Sequence, residues 1–148
     1  MNLNQTAGKI ILEPIGRNTA PAITLAALSV DRDSLILVMP SDHHIESDIS
    51  FVESISSAYD LANQGKIVTF GVVPSSPHTG YGYIKIGDQI DSFHAVDQFI
   101  EKPDSTLAEK LLSEGSYLWN CGIFLFKAST FLEEIERYRE DILIQCKQ

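Results

Sequence analysis

The chain has 148 residues, of which 44% are hydrophobic and 21% are charged. These values are typical of one soluble globular domain and exclude a mainly disordered chain. The chain has 11 Lys and Arg residues and 20 Asp and Glu residues, which gives a net charge of −9. An acidic surface repels polyphosphate backbones, so nucleic acid is not expected as a partner. No apolar run approaches the roughly 20 residues that cross a bilayer, and the N-terminus lacks a signal-peptide pattern, so we expect a cytoplasmic protein without membrane association.

Short β-branched runs alternate with segments of helical period, which predicts a three-layer α/β/α fold around a mainly parallel mixed sheet, in one domain that covers residues 1–148. Leu35–Met39 is continuous and apolar, so we expect a central strand covered on both faces. Pro14 should end the first strand, and Asn18 should cap the first helix. The predicted strands are 9–13, 35–39, 67–73, 81–86, 93–100 and 117–126, and the predicted helices are 18–30, 49–63, 105–113 and one from about residue 129.

The motif Pro40-Ser41-Asp42-His43 directly follows the predicted central strand. Ligands of open α/β sheets collect beyond the carboxyl ends of strands, so Asp42 is a candidate ligand for a hard divalent cation held against substrate phosphates. On spacing alone, Asp42 could equally cap or shape a turn. His43 and His44 resemble a zinc pair, but no third ligand stands at a useful spacing, and ordinary loop histidines are the favoured interpretation.

Two further motifs offer groups suited to a phosphorylated sugar. In Thr79-Gly80-Tyr81-Gly82-Tyr83, the glycines allow close approach of the backbone to a ligand, and the tyrosines provide flat walls and hydroxyls. The alternative is a hairpin entry with two edge tyrosines. Glu101 and Lys102 precede Pro103 at a strand end, where the lysine can bring a charge to a phosphate. The alternative there is an exposed ion pair of little energetic value.

Amide side chains appear in the two remaining motifs. Asn120, in Trp119-Asn120-Cys121-Gly122, can both donate to and accept from a hydroxyl-rich ligand, although a buried turn would suit it equally. In the segment 13–21, the carboxylate of Glu13, the amide of Asn18 and a helix N-terminus could read the edge of a base. A plain strand-loop-helix joint is the alternative. The sequence shows no convincing Ser-His-Asp or Cys-His arrangement for covalent catalysis.

The order and spacing of these motifs resemble those of the bacterial mannose-1-phosphate guanylyltransferase family, from about Ile10 to Phe126. The motifs that carry the resemblance are EPIGRNTAPAI, VMPSDHHI, TFGVVPSSPHTGYGYI, FIEKPD and YLWNCGIFLF. The resemblance implies a nucleotidyltransferase fold and the reaction of GTP with mannose 1-phosphate to give GDP-mannose and pyrophosphate, with Mg²⁺ as cofactor. Catalysis in that family is a direct displacement that depends on positioning and charge neutralisation.

The resemblance also implies roles for individual residues of this chain. The family's magnesium-binding aspartate falls on Asp42, which with Lys102 would be catalytic. The guanine-binding segment falls on Glu13, Arg17 and Asn18. The residues expected at the sugar and its phosphate are Gly80, Tyr81, Gly82, Glu101, Lys102 and Asn120. Cys121 stands where the family usually has serine, which is a change of similar size.

The chain also departs from the family pattern. It contains neither the GGxGxRLxPxSR loop that grips the triphosphate nor the family's second metal-binding aspartate. We therefore expect the central part of a nucleotidyltransferase domain, truncated at both ends and inactive by itself, with unpaired strand edges that favour oligomers. The alternatives are a non-catalytic binding or assembly module, and a nucleotidyltransferase for another sugar 1-phosphate.

Overall fold

The computed structural model describes residues 8–13, 15–43, 45 and 47–148. The described part contains five strands and four helices. In chain order they are α1 (Thr19–Leu28), β1 (Leu35–Val38), α2 (Asp48–Asn63), β2 (Val68–Val72), β3 (Gly82–Ile90), β4 (Phe93–Ile100), α3 (Ser105–Glu114), β5 (Tyr117–Lys127) and α4 (Ala128–Cys146).

The long strand β5 organises the sheet, because it pairs along both of its edges. Leu125 lies between Leu37 of β1 and Val68 of β2, and Asn120 lies between Gly71 of β2 and Gly82 of β3. Strand β2 therefore occupies one edge of β5, while β1 and β3 share the opposite edge. Strand β4 joins β3 as a hairpin. Loops that precede or follow four different strands are thereby brought near the first half of β5.

Helices cover both faces of this sheet. Ile36 of β1 packs in a cluster with buried residues of α1 and α4, including Ala27 and Leu132. The preceding residue, Leu35, packs in another cluster with Ala58 of α2. Consecutive side chains of a strand point to opposite faces, so α1 and α4 lie on one face and α2 lies on the other. The predicted three-layer α/β/α fold is confirmed.

The termini of two helices show the local chemistry that their sequences predict. The side chain of Asp104 accepts a hydrogen bond from the backbone N–H of Leu107 at 2.8 Å and caps α3. Gly115 ends the same helix with a left-handed φ of 68°, which glycine adopts without steric cost. The predicted C-cap at Gly115 is confirmed. Asn18 precedes α1 as expected, but its side chain makes no capping hydrogen bond.

Three sequence predictions about the sheet need correction. Residues 9–13 form no strand in the structure, and Ile10 and Leu12 are largely exposed; Pro14, the predicted strand end, lies outside the described residues. Strand β1 is not central, because among the described residues it pairs only with β5. The four described pairings are all antiparallel, so the mainly parallel sheet is not confirmed. An apolar run predicts that a strand is buried. It does not predict which strand pairs with it, or whether the pairing is parallel or antiparallel.

In the described part of the chain, no helix combines the length and the apolar composition needed to cross a membrane.

Candidate functional site

A cleft of about 610 Å³ opens where the loop after β1 meets β2, β5 and the start of β3. Three of the predicted site residues line it, and each comes from a different motif: Asp42, Tyr81 and Asn120. The other lining residues are His43, Ile45, Phe51, Ser54, Phe70, Gly71, Val72, Trp119, Cys121 and Ile123. The wall is thus largely apolar and aromatic, with a few polar groups, as expected of a small-molecule site.

The side chain of Asn120 has a defined orientation in this cleft. Its Oδ1 accepts the backbone N–H of Gly122 at 3.2 Å. The hydroxyl of Thr69 lies 3.5 Å from the same oxygen and 3.4 Å from the backbone oxygen of Ile123. A backbone N–H can only donate, so the atom that faces it must be the amide oxygen. No described residue accepts from the NH₂ group of Asn120, which can therefore donate to an oxygen of a ligand.

Gly122 makes this arrangement sterically possible. Its φ is 70°, in the left-handed region that side chains disfavour, and a Cβ added there would lie 3.3 Å from Cγ of Pro40. The turn at Gly122 thus brings β5 close to the loop that carries Asp42. The contact between Gly122 and Pro40 therefore holds the loop of Asp42, the predicted metal ligand, beside the strand of Asn120.

Gly82 links Asn120 to the predicted pair Glu101 and Lys102. Gly82 pairs with Asn120 across the β3–β5 ladder, and a Cβ added to Gly82 would lie 2.9 Å from Oε2 of Glu101. Nζ of Lys102 lies 3.8 Å from Oε1 of Glu101, and both side chains are mostly exposed. Glu101 and Lys102 do not line the cleft, but they lie one strand away from it. An exposed pair of this kind contributes little to stability.

An aromatic cluster forms the wall of the cleft at the start of β3. The Tyr81 ring lies 5.2 Å from the Trp119 ring and stacks on His78 at 4.3 Å. Nε1 of Trp119 is buried and has no hydrogen-bond partner among the described residues, and the side chain also packs against the buried cluster that contains Tyr83. Gly80 does not line the cleft; its backbone N–H donates to Nδ1 of His78 at 3.0 Å.

The three predicted nucleotide-binding residues lie elsewhere. Glu13, Arg17 and Asn18 line a second cavity of about 800 Å³, between the N-terminus of α1 and the second half of α4. This cavity shares no lining residue with the cleft. The structure therefore brings Tyr81 and Asn120 together with Asp42 in the cleft and, separately, the three base-side residues in the second cavity.

Backbone strain coincides with two of the predicted site residues. Asn18, Asp91 and Lys102 are the non-glycine residues with left-handed φ values, 68°, 53° and 41°, in the described part of the chain. Asp91 lies in the tight turn between β3 and β4, where such angles are expected. Asn18 and Lys102 have no hairpin to explain them, and strain of this kind often marks binding sites.

Four groups that line the cavities have shifted pKa values: Cys121 in the cleft, and Arg139, Asp141 and Cys146 in the second cavity. Burial raises the pKa of the Cys121 thiol in the cleft, and this thiol donates to the backbone oxygen of Phe70 at 2.8 Å. In the second cavity, two hydrogen bonds from Arg139 at 2.8 and 2.9 Å lower the pKa of Asp141. These bonds accompany a break in the helical backbone of α4 at Arg139.

The cleft could bind a divalent cation only if a bound substrate supplied some of the ligands of the cation. Among the described residues that line the cleft, Asp42 is the one carboxylate, and His43 lies beside it. No three His, Cys, Asp or Glu side chains of the described residues come together as a metal site. His44, the other member of the predicted histidine pair, lies outside the described residues. A single carboxylate fits Mg²⁺, which commonly binds through one or two carboxylates together with substrate phosphates and water.

The sequence interpretation missed several residues of the site. Thr69 lies beside the amide oxygen of Asn120, Gly71 lines the cleft opposite it, and His78 supports Tyr81. Gly71 carried a usable signal, because a glycine inside a strand often marks close approach of another group. The roles of Thr69 and His78 depend on neighbours that only the folded chain supplies.

Comparison with known proteins agrees with this arrangement of motifs. A nucleotidyl transferase family model matches residues 3–148. The chain is 46% identical to mannose-1-phosphate guanylyltransferase ManC of Salmonella typhimurium, an alignment that covers 99% of this chain and 32% of ManC. It is 49% identical to xanthan biosynthesis protein XanB of Xanthomonas campestris, over 94% of this chain and 30% of XanB. The chain thus spans about a third of the length of these curated relatives.

Solved structures show the same fold. A mannose-6-phosphate isomerase from Helicobacter pylori superposes with a TM-score of 0.84 at 40% identity, over 92% of this chain and 52% of that one. A mannose-1-phosphate geranyltransferase from Thermus thermophilus superposes with a TM-score of 0.83 at 31% identity, over 93% of this chain and 41% of that one. On the match to residues 3–148 and on these relatives, the chain belongs to the nucleotidyl transferase family.

Proposed function

We propose that the cleft binds mannose 1-phosphate and that the chain forms the sugar side of a mannose-1-phosphate guanylyltransferase site. The complete reaction would convert GTP and mannose 1-phosphate into GDP-mannose and pyrophosphate. One observation carries the proposal: Asp42, Tyr81 and Asn120 are far apart in sequence and line the same cleft. The similarity to mannose-1-phosphate guanylyltransferases over 99% of the chain supports the choice of substrate.

Each polar group of the proposed sugar site has a chemical task. The free NH₂ of Asn120 would donate to a sugar hydroxyl, and the carboxylate of Glu101 would accept from one. The exposed face of Tyr81 would pack against the ring carbons of the sugar. Gly80 and Gly82 would let the backbone approach the ligand closely, because neither carries a side chain.

The phosphate of the sugar needs positive charge, and the described residues of the cleft lining include no Lys or Arg. We propose that Lys102 and an Mg²⁺ ion held by Asp42 provide it. The bound ion would neutralise phosphate charge and help to align the reacting phosphates. Lys102 would move from its contact with Glu101 to the phosphate, which is feasible because that pair is exposed and weak.

We also propose that the second cavity contacts the guanine nucleotide. Glu13 would accept hydrogen bonds from the base edge, as a carboxylate can only accept at neutral pH. Arg17 and Asn18 would donate to the nucleotide beside the N-terminus of α1, where the backbone N–H groups favour negative charge. The strained backbone at Asn18 is compatible with a binding role.

Titration calorimetry with mannose 1-phosphate, with and without MgCl₂, tests the sugar site. We expect saturable binding that is stronger with Mg²⁺, and weaker binding of mannose, which lacks the phosphate. The Asn120→Asp variant keeps the acceptor for Gly122 but replaces the donating NH₂ by a charged oxygen, so it should bind mannose 1-phosphate at least tenfold more weakly. A folded wild-type chain that binds no mannose 1-phosphate would contradict the proposal, and equal binding of glucose 1-phosphate would favour another sugar substrate.

A turnover assay separates catalysis from binding. We expect no pyrophosphate release from GTP and mannose 1-phosphate by this chain alone, because it contains no glycine-rich triphosphate loop. Measurable release would show that the chain by itself is a complete enzyme. We also propose a cytoplasmic location and homo-oligomer formation, and size-exclusion chromatography tests the second.

A further inference from the structure

His78 holds the start of β3 through three contacts of different kinds. Its Nδ1 accepts the backbone N–H of Gly80 at 3.0 Å, and its backbone oxygen accepts the hydroxyl of Tyr83 at 3.0 Å. Its ring stacks on Tyr81 with 4.3 Å between centroids and 22° between planes. Tyr83 is fully buried, so His78 connects the exposed loop to a rigid part of the sheet.

The bond from Gly80 uses Nδ1 of His78 as its acceptor. A backbone N–H can only donate, so Nδ1 must carry a lone pair in this contact and the ring proton must lie on Nε2. The contact therefore selects the tautomer with its proton on Nε2.

The contacts of His78 affect the wall of the cleft through the rings of Tyr81 and Trp119. Tyr81 lines the cleft and lies 5.2 Å from Trp119, and the His78 ring meets Trp119 edge-on at 6.3 Å. Nε1 of Trp119 is buried and has no hydrogen-bond partner in the described part of the chain. Trp119 packs against the buried cluster that contains Tyr83, and it also contacts the rings of Tyr81 and His78. The position of Tyr81 thus depends on packing against Trp119 and against His78, which is not itself among the residues that line the cleft.

We propose that His78 is a positioning residue that fixes the Gly80–Tyr81 backbone and the aromatic wall of the cleft. Its effect on mannose 1-phosphate affinity rests on the function proposed above, but its effect on the wall does not. His78 touches no ligand in this proposal. It acts through the acceptor at Nδ1 and through the stacked ring, and these two contributions can be removed one at a time.

The single tryptophan of the chain provides a readout that needs no ligand. His78→Asn retains an acceptor near the position of Nδ1 and loses the stacked ring, whereas His78→Phe retains the ring and loses the acceptor. We expect acrylamide to quench Trp119 about twofold more efficiently in His78→Ala, with intermediate increases in the Asn and Phe variants. Mannose 1-phosphate binding should weaken about tenfold in His78→Ala, which corresponds to the loss of one hydrogen bond and one aromatic contact.

His94→Ala is the matched control, because His94 is an exposed histidine of β4 that does not line the cleft. It should leave both quenching and affinity unchanged. Wild-type quenching in all folded His78 variants would overturn the proposal. If His78→Ala fails to fold, the Asn and Phe variants decide the matter in the same way. If the wild-type chain binds no mannose 1-phosphate, the proposed function fails while quenching alone still decides the role of His78.

Discussion

Gly71 lies where two strands approach too closely for any side chain. A Cβ added to Gly71 would lie 2.6 Å from Cδ1 of Leu118 and 2.7 Å from its Cβ. Real carbon contacts are about 3.5–4.0 Å. The Leu118 Cδ1 atom can rotate away, but its Cβ is fixed to the backbone of β5. Gly71→Ala must therefore push β2 away from β5 by several tenths of an ångström or more.

The cost of this overlap follows from the behaviour of overpacked cores. Extra carbon in a close-packed site typically costs about 1–3 kcal/mol. For a chain of this size, a loss of about 1 kcal/mol lowers the melting temperature by roughly 2–4 °C. We expect Gly71→Ala to reduce the melting temperature by about 3–10 °C. Because Gly71 pairs with Asn120, the shift of β2 should also weaken mannose 1-phosphate binding.

Thermal and urea denaturation, followed by circular dichroism, measure the change in stability. Gly16→Ala is the matched control, because a Cβ at Gly16 would meet no atom of the described residues within 4 Å and its φ is not left-handed. A second test combines Gly71→Ala with Leu118→Ala, which removes Cδ1 but keeps Cβ, so it should recover only part of the loss. A Gly71→Ala variant as stable as wild type would refute the close approach of β2 and β5.

Three further predictions concern the cleft and its support. Gly82→Ala should change the free energy of unfolding by less than about 1 kcal/mol, because the nearest obstacle is the flexible Glu101 carboxylate. Calorimetry should nevertheless show weaker mannose 1-phosphate binding, and unchanged affinity would contradict a role for that carboxylate. Burial raises the pKa of the Cys121 thiol, so at pH 8 a smaller fraction of Cys121 is thiolate than of a free cysteine. Cys121 should therefore react more slowly with iodoacetamide than a free cysteine, and the rate should rise towards pH 10. Mass spectrometry measures this labelling, and bound mannose 1-phosphate should suppress it; rapid labelling at pH 7 would argue against burial. Tyr83→Phe removes the buried hydroxyl that donates to the backbone oxygen of His78. This change should lower the free energy of unfolding in urea by about 1–2 kcal/mol. An unchanged urea midpoint would show that other contacts hold the loop.

The elements could be predicted from sequence wherever local chemistry determines them. Helix α2 has a hydrophobic face at helical spacing, and the predicted range of 49–63 agrees with Asp48–Asn63. Gly115 marks the end of α3 because its left-handed backbone is a local property. The prediction failed at residues 9–13 because a β-branched run becomes a strand only beside a partner, and no described strand pairs with it.

The site was predictable as a set of residues but not as an arrangement. The motifs identified Asp42, Tyr81 and Asn120, which line one cleft. Their order gave no indication that Arg17 and Asn18 would line a separate cavity beside α4. It also could not identify Thr69 as the partner of Asn120, because that contact joins two strands that are distant in the sequence.

The position of β5 has a consequence for how the chain folds during synthesis. β1, β2 and β3 all pair with β5, and β5 follows the other described strands in the chain. Of the described strand pairs, only the β3–β4 hairpin can form before residues 117–127 have left the ribosome. Until then β1 and β2 have no described partner, and their exposed backbone is open to pairing with other chains. A chaperone that shields nascent segments should therefore increase the yield of folded protein most when translation pauses before β5.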